Sequence, residues 1–379
     1  MDLVLIPDKF KGALPADRVC EAIEAGVRSR YPQARFRRFA ASDGGDGFLD
    51  AVGAVRDLTR YTEPVSDPLG RPILADYLYD PAGREAFVEL AQASGLVLLS
   101  EAERDPLRTT TLGTGELIRA ALERGARTVY VGLGGSATND AGMGIAEAFG
   151  YRFLDEDGNP LEPVGANLLR VARIGLPERS PLPEGARVVA VNDVTNPLWG
   201  SEGAAHTYGP QKGAGPLEVA LLDRGLRHLD EQVHRQLGVR FGPLAGSGAA
   251  GGAAYGLKTF LKAEFVSGTD YVIQYSGLAD SLGRRPADLL ITGEGRIDSQ
   301  SLSGKFIQGV LRLGQEHGIP VLAVCGRSEL DSETLGRAGF EAVLEVADPR
   351  RPLAWNLENA YTCIRETVAA YFEKAGRAG

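Results

Sequence analysis

The sequence predicts an α/β fold in two domains, one a doubly wound parallel sheet assembled from both chain ends and one an inserted α/β domain with a mixed sheet. Three observations point there. Short apolar or β-branched runs alternate with longer segments of helical period at both ends of the chain, the rhythm of a mostly parallel sheet covered by helices. Between them, residues 61–90 change to strand-like stretches broken by the turn Asp80-Pro81-Ala82-Gly83, the pattern of an antiparallel hairpin. At 379 residues, with 44% hydrophobic and 24% charged residues, the chain can bury a real core. Its length is roughly two to three times the ~150-residue domain prior. Residues 1–60 and 285–379 are expected to form the discontinuous doubly wound domain, and 61–284 the insertion.

Each element follows from its own residues. Residues 3–6 are a near-continuous apolar strand. Pro15 suits a first helical position, and Val19, Ile23 and Val27 then recur every four residues on one face. A second strand is predicted over 35–39. Past the hairpin come a helix over 115–124, a strand over 128–131, a helix over 141–149 and a strand over 151–154. A strand over 188–191 and a long amphipathic helix over 216–237 follow. The C-terminal part returns to clean alternation: strand 288–292, helix 304–316, strands 321–325 and 343–346, and a last helix from about 354.

Charge narrows the partners. A formal net charge of −9 with no long Lys/Arg run repels a phosphate backbone, so nucleic acid is not an expected partner. An anionic substrate must then be met by isolated cations inside a cleft. Cys20, Cys325 and Cys363 are odd in number and far apart, which suits buried thiols in a reducing compartment and implies no disulfide framework. The first apolar run follows an acid at position 2 and is too short for a signal segment. No stretch approaches the ~18 apolar residues of a membrane span. No membrane partner is expected, and the cytoplasm is the expected location.

The chain holds 49 glycines, and the excess over the ~7% background sits in a few turns that also carry acids and hydroxyls. Several follow a predicted strand, where open α/β sheets bind ligands. In PDKFKG (7–12), Asp8, Lys9 and Lys11 stand at such an edge; Lys11 is either a point charge for a carboxylate or phosphate, or part of a solvated turn. In SDGGDG (42–47), Asp43 and Asp46 are either capping acids or hard donors for Mg²⁺, and Asp43 is the better metal candidate. In VGLGGSATND (131–140), backbone N–H groups of Gly132, Gly134 and Gly135 can wrap an anion, with Ser136, Thr138 and Asn139 adding donors at a helix start. The same turn satisfies G-x-G-x-x-A with Asp155 about 20 residues on, so an NAD-dependent oxidoreductase is a rival reading.

The long polar loop 191–215 carries Asp193, Thr195, Asn196, His206 and Lys212. Asp193 there is a candidate general base for a substrate hydroxyl, or a metal ligand. The small-residue run 245–256 suits close backbone approach, as in helix packing. In TGEGRIDSQSLSGK (292–305), Glu294, Arg296, Asp298 and Lys305 combine an acid, an Arg fork and a lysine, a set suited to a metal-bound phosphate. Absent motifs exclude other chemistries. There is no G-x-x-x-x-G-K-[ST] phosphate loop, no G-x-S-x-G nucleophile elbow, no C-x-x-C, and His206, His228, His234 and His317 have no metal-ligand spacing.

Taken in order along the chain, PDKFKG, SDGGDG, GLGGSATND, DVTNPL, GPQKGA and TGEGRID resemble the blocks of the type I glycerate kinase family. The resemblance spans 7–298 in six ordered blocks, with mild departures at Lys9, Asn192, Ala141 and Ser299. It implies one flavodoxin-like and one mixed-sheet α/β domain with the active site in the cleft between them. Implied ligands are ATP, Mg²⁺ and glycerate, with 2-phosphoglycerate from D-glycerate as the expected product and 3-phosphoglycerate as the alternative. Residue by residue it implies catalysis by Asp193, Lys11 and Arg296, and substrate binding by Asp8, Lys11, Asn196 and Lys212. It further implies ATP phosphates held by Gly134, Gly135, Ser136, Thr138, Asn139 and Lys305, and metal held by Asp43, Asp193 and Glu294. A monomer and a homodimer both stay open, as does an organic-acid binding protein without catalysis.

Overall fold

The structure, a computed structural model, describes residues 1–10, 12–39, 45, 47–53, 56–268, 271, 277–298, 301–302 and 305–375, the side chains of Lys305 and Ala375 excepted. In chain order its strands are β1 (Asp2–Pro7), β2 (Arg35–Arg38), β3 (Thr59–Ser66), β4 (Pro72–Asp80), β5 (Glu85–Glu89), β6 (Thr128–Gly132) and β7 (Arg152–Leu154). There follow β8 (Arg173–Gly175), β9 (Arg187–Val191), β10 (Glu264–Val266), β11 (Leu289–Ile297), β12 (Val321–Ser328) and β13 (Ala342–Glu345). The chain divides into two compact units, one of Met1–Ser42, Ala54–Arg56 and Gly268–Gly379, the other of Asp43–Gly53 and Asp57–Ser267.

The first unit holds a five-stranded, all-parallel sheet in the order β13-β12-β11-β1-β2. Numbered within the unit this is 2-1-3-4-5, the flavodoxin-like winding, whose switch point lies between β1 and β11. The apolar strand residues Leu3, Leu5, Ile291, Leu322 and Val324 bury against Val19, Ile23 and Val27 of helix Ala16–Arg28 and against Ile364 and Val368 of helix Ala360–Ala375. The four-residue repeat read from the sequence is therefore the buried stripe. Gly26 lets these two helices meet, since a Cβ there would lie 2.6 Å from the Arg365 carbonyl oxygen.

The second unit holds a six-stranded mixed sheet, β10-β9-β6-β5-β4-β3. Its β3-β4-β5 part is an antiparallel meander, while β5, β6, β9 and β10 run parallel. Asp80 closes the β4–β5 turn by accepting from the N–H groups of Ala82 and Gly83 at 2.9 and 3.1 Å. The predicted hairpin region therefore contains two turns, the other set by buried Asp67, which accepts from the N–H groups of Leu69 and Arg71 at 2.8 Å each.

The strand over 151–154 forms as Arg152–Leu154, outside the main sheet: it pairs antiparallel with β8 and Leu154 bridges Pro160, because Phe153 and Ile174 are drawn into a separate core with Leu168, Leu226 and Phe260. Two expectations are corrected. The strand over 288–292 runs on to Ile297, so TGEGRI is strand and not loop; β12 keeps pairing with it to Ile297↔Ser328. The helix over 141–149 starts at Met143, because Ala141 and Gly142 take left-handed φ of 54° and 70°.

Candidate functional site

In the second unit, the carboxyl ends of β5, β6 and β9 stand level: Glu89 faces Gly132, and Gly132 faces Val191. Parallel strands that stop in register leave their following loops side by side on one edge, the position where such sheets take ligands. The turn 133–142 leaves from β6 and the DVTNPL loop from β9. The Leu133 N–H donates to the Val191 carbonyl at 3.1 Å, which holds the two loop starts together.

The 133–142 turn is braced from every side. Leu96 N–H donates to Gly135 O at 2.8 Å and Ala137 N–H to Ser94 O at 2.9 Å. Thr109 Oγ1 donates to Ala137 O at 2.9 Å. Asp140, fully buried, accepts from Thr111 N–H and Oγ1–H at 2.8 Å, Gly142 N–H at 3.0 Å and Gly144 N–H at 3.2 Å. Burial raises the Asp140 carboxyl above the usual range, and these donors pull against that rise. Lys212, 2% exposed, donates to the Thr138 carbonyl at 2.7 Å and to Ser136 Oγ at 3.4 Å.

The run 245–256 supplies the remaining support. Helix Ala249–Leu261 opens with three left-handed residues, Ala250, Gly251 and Gly252. This brings Gly251 O to accept from Ala141 N–H at 3.2 Å. A Cβ at Gly256 would lie 2.6 Å from Gly142 Cα, and one at Gly251 would overlap the Thr138 carbonyl oxygen. Only glycine permits that backbone-to-backbone contact.

Within this brace some donors are spent and some are not. Thr138 N–H donates to Ser136 Oγ at 3.0 Å. The N–H groups of Gly134, Gly135 and Ser136 meet no acceptor among the described residues. Asn139 is 1% exposed, and neither its Oδ1 nor its Nδ2 has a hydrogen-bond partner among the described residues. A buried amide left unpaired costs about 1–3 kcal/mol, so this one is an unspent donor and acceptor for a ligand.

The β9 loop is fixed as well. Val194 N–H donates to the side chain of buried Asn192 at 3.2 Å, and Asp193 between them is exposed. The Asn196 amide is engaged within its own loop, donating to Glu202 O at 2.6 Å and accepting from Tyr208 Oη at 2.8 Å. The segment 191–215 contains helix Ala204–Tyr208 and the 3₁₀ turn Pro210–Lys212, which carry Tyr208 and Lys212 inward.

In the first unit, Asp8 follows β1 and its N–H donates to Gly293 O on β11 at 2.8 Å, at the switch point of the sheet. Glu294 is the next residue of β11 and is half-buried. Beside it, Cys325 is fully buried; burial, with Glu345 and Glu294 adding to it, pushes its thiol up to about 12. Arg296 is 61% exposed and pairs with Asp298 at 3.0 Å and Glu329 at 3.6 Å.

Of the predicted residues, Gly134, Gly135, Ser136, Thr138, Asn139 and Lys212 gather at one turn, with Asp193 and Asn196 on the neighbouring loop of the same edge. Asp8, Glu294 and Arg296 share the carboxyl edge of the other sheet. Lys11, Asp43 and Asp46, and the side chain of Lys305, lie outside the described residues. Among the described residues no three His, Cys, Asp or Glu side chains group as a metal set.

Sequence reasoning missed Thr109 and Thr111, both fully buried beneath the turn, and Glu89, 5% exposed. Glu89 accepts from Gly47 and Leu49 N–H at 3.0 Å each, tying the start of helix Phe48–Gly53 to the β5 end. The legible signals were three successive threonines before a helix and an acid closing an apolar strand. Surface hollows of ≈ 490 Å³ near Arg119 and ≈ 650 Å³ near Arg108 contain none of the site residues.

The dinucleotide reading fails on topology. It needs Asp155 at the end of a strand lying parallel beside β6, but β7 is outside that sheet and Asp155 sits in a tight turn, accepting from Asn159 N–H at 2.8 Å.

Comparison with known proteins agrees. A model of the glycerate kinase family matches residues 3–374. A glycerate kinase of Bacillus subtilis is 37% identical over 377 residues, covering 100% of this chain and 96% of the relative. A glycerate 2-kinase of Escherichia coli is 38% identical over 346 residues, covering 91% of this chain and 90% of the relative. A crystal structure from Salmonella typhimurium, assigned as glycerate kinase 2, superposes with a TM-score of 0.83 at 38% identity, covering 100% of both chains.

Proposed function

Since the chain belongs to the glycerate kinase family and is thereby an ATP-dependent kinase, we propose that it transfers the γ-phosphoryl group of ATP to the 2-hydroxyl of D-glycerate, giving 2-phosphoglycerate. The observation that carries this reading is the braced 133–142 turn. Three unspent backbone N–H groups and one unpaired buried amide stand together at the carboxyl edge of a sheet, donors suited to phosphate and hydroxy-acid oxygens.

Phosphoryl transfer needs positioning and charge stabilisation more than covalent chemistry. Asp193 accepts or orients the substrate hydroxyl proton, from an exposed position beside the turn. Arg296 and Lys11 are assigned to neutralising substrate and phosphoryl charge, and Asp8 to binding the substrate. Mg²⁺ takes hard oxygen donors, and the carboxylates of Asp193 and Glu294 are of that kind, as is Asp43 in sequence. When bound, the ion would offset phosphate charge. We assign the reaction to the cytoplasm.

Purified protein with ATP and D-glycerate should release ADP, and phosphorus NMR should show the phosphate on the 2-oxygen. A 3-phosphate signal would move the acceptor to the other hydroxyl; no ADP release above the ATP-only control would sink the reading. Asn139→Ala should raise the KM of the ligand it meets by about fivefold to about 150-fold, the equivalent of about 1–3 kcal/mol. Its melting temperature should hold, since an unpaired group is removed. An unchanged KM for both substrates would remove Asn139 from the site.

A further inference from the structure

We propose that Lys212 acts as a positioning residue for the 133–142 turn, holding the Thr138 carbonyl and the Ser136 hydroxyl from beneath so that the N–H groups of Gly134, Gly135 and Ser136 stay turned to the ligand. This rests on the assignment of that turn to the nucleotide phosphates made above.

The geometry carries it. Lys212 is 2% exposed and Nζ lies 2.7 Å from Thr138 O and 3.4 Å from Ser136 Oγ. Those bonds occupy the ammonium on the turn's own backbone. Gly209, Pro210 and Gly213 clamp the residue from its own side: Lys212 N–H donates to Gly209 O at 3.0 Å, and Gly213, at φ 99°, abuts the Arg104 backbone where no Cβ fits. An ammonium buried this thoroughly is costly for a fold that could have used methionine there. Its retention is explained if its donors set the shape of a binding turn.

The charged group facing Lys212 is Asp140. Burial lowers the ammonium to about 7, against the upward pull of Asp140. The sign follows. A bound phosphate favours the charged lysine and raises its pKa, so nucleotide binding takes up a proton. Affinity for ATP is then flat below about pH 7. Above that it falls, by up to about tenfold per pH unit, until the pKa of the bound state is reached. In stability the folded-state value lies below the ordinary 10.5, so the cost of burying the charge is full below about pH 7 and fades as pH rises toward 10.5.

The test is Lys212→Met, a substitution of similar length without the charge, beside Ser136→Ala, with ATP titrated calorimetrically from pH 6 to 9 and glycerate turnover measured in parallel. The expected result is a melting temperature at pH 7 no lower than wild type, ATP affinity weakened at least tenfold, and loss of the pH slope that wild type shows. Ser136→Ala should weaken ATP less and keep the slope. Two results would overturn the assignment: unchanged ATP affinity and slope in Lys212→Met, or a lowered melting temperature with normal affinity in the protein that remains folded. Wild type that binds ATP but does not turn over glycerate defeats the proposed reaction while the titration still decides the role of Lys212.

Discussion

Asp193→Asn is expected to lower kcat by about 10²- to 10⁴-fold while leaving the melting temperature unchanged. The two halves of that expectation come from one placement. Asp193 follows β9 with its side chain exposed, so the core does not depend on its charge. Its backbone is nevertheless held on both sides: Asn192 N–H donates to Val266 O at 3.0 Å, and Val194 N–H donates to Asn192 Oδ1 at 3.2 Å. A carboxylate on held backbone, beside the turn proposed to bind phosphate, is what general-base or orienting catalysis requires. Asparagine keeps the shape and removes the proton acceptor. Steady-state kinetics with ATP and glycerate and a thermal melt followed by circular dichroism read both halves, and a kcat within a factor of two or so of wild type would dismiss the role.

Gly251→Ala is expected to destabilise the protein by at least about 2 kcal/mol, the cost of a left-handed non-glycine residue together with a steric conflict. Gly251 has φ of 66°, and the added methyl would overlap the Thr138 carbonyl oxygen. The only relief is to push the helix Ala249–Leu261 away from the 133–142 turn, breaking the Ala141 N–H to Gly251 O bond. The N–H groups of Gly134–Ser136, proposed to hold phosphate, would shift with it, so on that proposal the fraction that remains folded should also bind ATP more weakly. Gly238→Ala makes the control, because Gly238 shares a positive φ of 73° and meets nothing within 4 Å. Denaturant unfolding of both variants separates conformational strain from collision; equal losses would show that the Thr138 contact contributes nothing.

Much of the fold was legible because burial and backbone period are local. The Val19, Ile23, Val27 repeat and the apolar run at residues 3–6 mark faces that must be covered, and both lie in the core. Boundaries were less legible where long-range pairing decided them. β11 runs through two glycines to Ile297 because β12 lies alongside, and nothing in TGEGRI itself demands a strand. The strand at 151–154 had ordinary strand residues, yet the packing of Phe153 against Phe260 took it out of the main sheet.

For the candidate site, glycines and hydroxyls after a strand marked 133–142 correctly as a turn, since that chemistry is dictated by residue type. Residue type did not tell which polar groups would be spent. Lys212, Asn196 and Asn139 look alike in sequence as available polar side chains, yet the first two are committed inside the protein and the third is unpaired. Thr109 and Thr111 passed unnoticed because their partners, Ala137 and Asp140, lie 28 and 29 residues away.

By itself, then, the sequence determined the α/β class, the glycine turns and the order of six family blocks, all of which depend on short windows of residue type and spacing. Tertiary structure alone decided the 2-1-3-4-5 winding and the level ends of β5, β6 and β9. It also decided which donors of the turn are consumed by its own brace. The physical reason is that a hydrogen bond or a backbone contact is a property of two places in space, and residues such as Thr138, Lys212 and Gly251 become neighbours only when sheets and helices bury their apolar faces together.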